Sequence, residues 1–137
     1  MIKRLVYLIL PLLLAGTVHA DSDKVEMTPE ESKELQKWIA GRIVGEPQKC
    51  LYRQQFDDMV VINERIFLFG TSRTAKTIYI NKTHGACKDA KKYTIVFRKA
   101  SETRLCRGDN LVVVNAGLNM PKGGCHLTDF VPLKLVK

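Results

Sequence analysis

A mainly β, exported domain is the fold class this sequence predicts. The expectation is a small antiparallel barrel or curved sheet of about six strands, with one N-terminal α-helix and two disulfides. Three observations carry it. From Cys50 onward, short runs rich in β-branched and aromatic residues alternate with turn residues, and no long helical stretch intervenes. Ahead of Cys50 lies one apolar stripe at helical spacing. Four cysteines follow a secretory signal.

The chain has 137 residues and opens with Lys3 and Arg4 before the apolar "LVYLILPLLLAG". This is a signal peptide with Val18 and Ala20 at the small-residue positions of a cleavage site, and cleavage is expected after Ala20. The apolar stretch is shorter than the roughly 20 residues of a membrane span. Thr17 stands where a lipoprotein signal needs a cysteine, so no lipid thioether is expected, and no transmembrane helix is expected in the mature chain. The organisation read from this is a signal at 1–20, a helical segment at 21–49 and a disulfide-stabilised β domain at 50–137.

The helix begins at Thr28-Pro29-Glu30-Glu31, which supplies an N-cap hydroxyl, a proline at the first helical position and a glutamate that reaches back to the cap. Leu35, Trp38, Ile39 and Ile43 form its apolar stripe, and it is expected to stop near Gly45, before Pro47.

"CLYRQQF" is a weak first strand, and "MVVI" with "ERIFLFG" forms a hairpin around Asn63-Glu64. "KTIYIN" alternates Thr77, Tyr79 and Asn81 against Ile78 and Ile80. "YTIVFR", "NLVVVN" and "HLTDFVPLKLV" complete the set, with Pro132 suited to an edge or a bulge.

Cys50, Cys87, Cys106 and Cys125 are spaced by 37, 19 and 19 residues, which matches neither a C-x-x-C redox motif nor a zinc site. They are read as two disulfides; three connectivities are open to four cysteines, and the nested one, Cys50 with Cys125 and Cys87 with Cys106, is favoured over the other two. No cofactor or metal is implied.

The formal charge is +8, and +6 without the signal segment. The excess lies C-terminal to Cys50, where Lys91, Lys92, Arg98, Lys99, Arg104 and Arg107 are the candidate anion-binding residues. Tyr79, Tyr93 and Phe97 are better placed as core than as base-stacking platforms, which disfavours nucleic acid. The partners expected are an anionic envelope polymer or another envelope protein.

In "RLCRGDNLVVV" the Arg-Gly-Asp triplet reads as the tight turn that starts a strand rather than an adhesion signal, because Gly108 and Asp109 directly precede an apolar β-branched run. No P-loop, dinucleotide fingerprint, nucleophile elbow or zinc-protease motif is present. His84 and His126 belong to no catalytic motif; with Asp109 or Asp129 they would form a hydrolytic pair only if the fold assembled them.

Residues 50 to 135 resemble a family of small exported bacterial proteins with a four-cysteine β domain and no assigned function. The likeness runs through "RIFLFG" at 65–70, "YIN" at 79–81, Cys87, "LCRGD" at 105–109 and the pattern from Cys125 through Leu127 and Phe130 to Pro132. It implies a disulfide-stabilised β domain exported by a bacterium, periplasmic or secreted, and transfers no catalytic residue. The function expected is non-enzymatic binding through a basic surface; the alternative is a small envelope hydrolase using one histidine and a carboxylate.

Overall fold

The computed structural model describes residues 25–72 and 74–136, so the signal segment and its cleavage site lie outside the described residues. The elements in chain order are α1 (Pro29–Ile39), β1 (Arg42–Val44), β2 (Cys50–Tyr52), α2 (Arg53–Phe56), β3 (Met59–Val61), β4 (Ile66–Phe69), β5 (Thr77–Lys82), β6 (Thr94–Arg98), β7 (Arg104–Cys106), β8 (Asn110–Asn115), β9 (Met120–His126) and β10 (Val131–Leu135).

Thr28 caps α1 in both directions. Its Oγ1 accepts the Glu31 N–H at 3.2 Å, and Glu31 Oε2 accepts the Thr28 N–H at 3.1 Å. The helix ends at Ile39, earlier than the stripe suggested. Gly41 adopts φ +70°, a conformation that costs a glycine little, and redirects the chain. Arg42, Ile43 and Val44 then pair with Leu135, Lys134 and Leu133. Ile43 therefore leaves the helical face and is exposed on a strand. The N-terminal segment is not only helical, since it supplies one edge of the main sheet.

That sheet has five antiparallel strands in the order β1-β10-β5-β4-β3. The hairpin expected around Asn63-Glu64 joins β3 to β4, and Asn63 Oδ1 fixes it by accepting the N–H groups of Arg65 and Ile66, each at 2.8 Å. All four residues of β4 are buried because both faces of the sheet are covered. Ile66 and Leu68 meet Leu35, Trp38 and Ile39 of α1. Phe67 and Phe69 face the opposite layer with Tyr79 and Phe130, and the Phe69 and Phe130 rings meet edge-on at 5.6 Å.

The opposite layer consists of the three-stranded sheet β6-β8-β9 and the two-stranded ladder β2-β7. Leu51, Leu105, Leu111, Val113 and Leu127 point from it into the core. The mainly β class with one principal helix and two disulfides holds. The barrel and the count of six strands do not, because ten short strands form three separate sheets. "CLYRQQF" gives only three strand residues before α2 takes over. The strand β9, "MPKGGCH", has little β propensity of its own and is recruited by its ladder with β8, which carries a bulge between Val113 and Val114.

Pro132 lies inside the five-stranded sheet rather than on its edge. Its carbonyl points to Gly45, whose N–H it accepts at 2.8 Å just beyond the end of β1, so the missing proline donor faces the point where that ladder stops.

The disulfides correct the expected connectivity. Cys50 is bonded to Cys106 and Cys87 to Cys125, so the two covalent loops interleave instead of nesting. Register is the cause. Cys50 and Cys106 are directly opposite on β2 and β7, and Leu111 stands opposite Cys125 while its carbonyl lies beside the Cys87 sulfur. With two disulfides, the chain is of the kind that folds in an oxidising compartment, and no described helix is long and apolar enough to cross a membrane.

Candidate functional site

The six basic residues singled out in the sequence are spread over several elements. Lys91 and Lys92 precede β6, whereas Arg98 is its last residue and Lys99 follows it, so the two pairs flank opposite ends of a strand roughly 17 Å long at about 3.3 Å per residue. Lys91 pairs with Glu34 of α1 at 3.4 Å, and Arg107 with Asp129 at 3.2 Å. Lys99 Nζ donates to the Glu102 carbonyl and lies over the Phe56 ring. Arg98 stands opposite Asn110, and Arg104 opposite Tyr52. Lys92 joins a residue that the sequence did not single out, Lys122; each ammonium is 5.5 Å from the centre of the Tyr93 ring.

The Arg-Gly-Asp triplet is a fastened turn. Gly108 has φ +89°, and its N–H bonds to Leu127 O. The Asp109 carboxylate is buried and accepts the Cys106 N–H at 2.7 Å and the Ala100 N–H at 3.2 Å. Asn81 is likewise fully buried, and its amide holds Thr128.

The fold brings His84 and His126 together as direct antiparallel partners, but it assigns the two carboxylates elsewhere. Asp109 holds its own turn and Asp129 holds Arg107.

A groove of about 1040 Å³ runs along the sheet beside α1. Its floor follows from register. Val44 opposes Leu133, and Val131 opposes Ile80, so these residues leave one face of the sheet. Leu35 and Ile39 of α1 form one wall. The helix covers β3 and β4, and Val44 on the edge strand β1 is 71% exposed.

The two ends of the groove differ. At the Arg42 end, the guanidinium donates to the carbonyls of Ala75 at 3.0 Å and of Lys76 and Leu133 at 3.2 Å each; burial lowers its pKa from the usual arginine value. Arg42 is thus occupied as a structural clamp. The other end carries Lys82, Arg107, Thr128 and Asp129. Lys82 is exposed and belongs to neither ion pair found among the described residues. Asp129 Oδ2 receives Arg107, while its Oδ1 is buried without a hydrogen-bond partner. Asn81 sets this end from below: its Nδ2 donates to Thr128 O at 2.8 Å and its Oδ1 accepts the Thr128 N–H at 3.1 Å.

Sequence reading missed this site because its parts lie far apart in the chain. One signal was present in "TIYINK", where Ile78, Ile80 and Lys82 recur at every second residue and so place a cation at the end of an apolar strand face. No family model, no curated protein and no solved structure matches this chain.

Proposed function

We propose that this chain is a periplasmic or secreted bacterial binding module, non-enzymatic, whose groove beside α1 takes a single-chain anionic amphiphile such as a long-chain carboxylate or alkyl phosphate. One observation carries the reading: an apolar sheet-and-helix groove ends in Lys82, a cation outside both ion pairs found among the described residues, beside the Arg107–Asp129 pair. Ligand pockets are typically apolar clefts with a few placed polar groups, and this one has the size of such a cleft. The apolar tail lies along Ile80, Val131 and Leu133, and the anionic head meets Lys82.

Export is supported by the signal-type N-terminus and the two disulfides. The likeness to small exported four-cysteine proteins points the same way. A non-enzymatic role is supported by the commitments of Asp109 and Asp129, which leave neither histidine with a carboxylate partner.

The test is titration of the mature protein, residues 21–137, with a fluorescent long-chain carboxylate, followed by competition. Saturable binding that dodecyl phosphate displaces and dodecyltrimethylammonium does not is the expected result. Absence of saturable binding overturns the reading, and recovery of a salt-released protein or glycan partner in its place returns the function to the dispersed basic surface.

A further inference from the structure

We propose that His84 and His126 form an exchangeable two-histidine site for a borderline divalent transition-metal ion, with Cu²⁺ the tightest. It is separate from the groove function and does not depend on it.

These are the only histidines after residue 20, and they lie 42 positions apart in sequence, yet the fold sets them directly opposite one another. The His84 N–H donates to His126 O at 2.8 Å, and the His126 N–H donates to His84 O at 3.1 Å. Directly opposed residues on antiparallel segments project from the same face, with Cβ atoms about 5 Å apart. Both residues are exposed, so their rings are open to solvent. The Cys87–Cys125 disulfide staples the same two segments, with Cys125 adjacent to His126 and Cys87 three positions beyond His84. The positive φ of Gly85 makes the bend between His84 and that staple.

Asn110 adds a second observation. It stands opposite His126 on the other side, and its Oδ1 is buried without a hydrogen-bond partner. Turning the His126 ring so that one N–H reaches that oxygen leaves the second imidazole nitrogen facing outward as the ligand, the arrangement by which outer-shell acceptors orient metal-binding histidines.

Imidazole suits zinc, copper and nickel, and Cu²⁺ binds nitrogen sites tightest among divalent first-row ions. No cluster of three His, Cys, Asp or Glu side chains with metal-binding geometry occurs among the described residues, so water completes the coordination. Arg98 lies in the same cross-strand row, opposite Asn110, and its charge weakens the site for every cation. Exchange, rather than structural retention, follows from both facts.

The test is a titration of tag-free mature protein with Cu²⁺ alone, followed by electron paramagnetic resonance and calorimetry. The expected result is one equivalent bound through two nitrogens, with Ni²⁺ and Zn²⁺ weaker. His84→Ala and His126→Ala should each weaken Cu²⁺ by at least the roughly 10- to 100-fold that even outer-shell partners are worth. Both side chains are exposed and their backbone bonds survive the substitution, so folding is retained and is verified by thermal melting. An unchanged copper spectrum in the double variant overturns the proposal by placing the ion at the N-terminal amine. Absence of saturable binding overturns it as well.

Discussion

The carboxylate of Asp109 accepts the backbone N–H of Cys106 across its own turn and the backbone N–H of Ala100 from the loop before β7, at 2.7 and 3.2 Å. One buried side chain thus joins three pieces of backbone next to a disulfide. Asp109→Ala is expected to leave two N–H groups without their acceptor and to lower stability by about 2–3 kcal/mol, whereas Asp109→Asn retains part of the bonding and loses less. Urea unfolding of the non-reduced protein checks the order.

The interleaved disulfides make a covalent prediction. Peptide mapping without reduction should recover Cys50 joined to Cys106 and Cys87 joined to Cys125. With sequence separations of 56 and 38, each loop restricts the unfolded chain by about 4 kcal/mol on the chain-entropy model. Replacing either pair with alanine should lower the unfolding midpoint by a comparable amount, and a nested map would refute the register described for β2 and β7.

Asn81 links stability to the groove. It is fully buried and holds Thr128 by three hydrogen bonds, two to the backbone at 2.8 and 3.1 Å and one from the Thr128 hydroxyl at 3.2 Å. Asn81→Ala is expected to cost about 2–3 kcal/mol, because it leaves buried backbone groups unpaired. It should also weaken amphiphile binding, since Thr128 and Asp129 form the polar end of the groove. Calorimetric unfolding and probe titration on the same variant read both effects.

The cap of α1 offers a smaller perturbation. Thr28→Ala removes the acceptor of the Glu31 N–H and should destabilise by about 1 kcal/mol. Because Leu35 and Ile39 form a groove wall, faster hydrogen exchange in α1 should accompany weaker probe binding.

Elements with local chemistry were legible in the sequence. Thr28 through Glu31 carry their own cap, Asn63 its own turn, and Gly108-Asp109 the bend before β8. What escaped was set by partners distant in the chain. Ile43 fits a helical stripe until Gly41 breaks the helix and Leu133 to Leu135 offer a ladder. "MPKGGCH" becomes a strand only because β8 lies beside it. The cysteine pairing depends on which strands become neighbours, and spacing does not encode that. The same holds for the candidate sites: Lys82 meets Arg107 and Asp129, and His84 meets His126, only after the sheets assemble.

The most direct test of the groove assignment is a two-dimensional amide NMR titration of the mature protein with dodecyl phosphate. Saturable shifts are expected at Leu35, Ile80, Lys82, Val131 and Leu133, with binding strongly reduced by Lys82→Glu and the fold unchanged. Shifts confined to the Tyr93 and Lys122 surface, or a Lys82→Glu protein that binds as well as the parent, would contradict it.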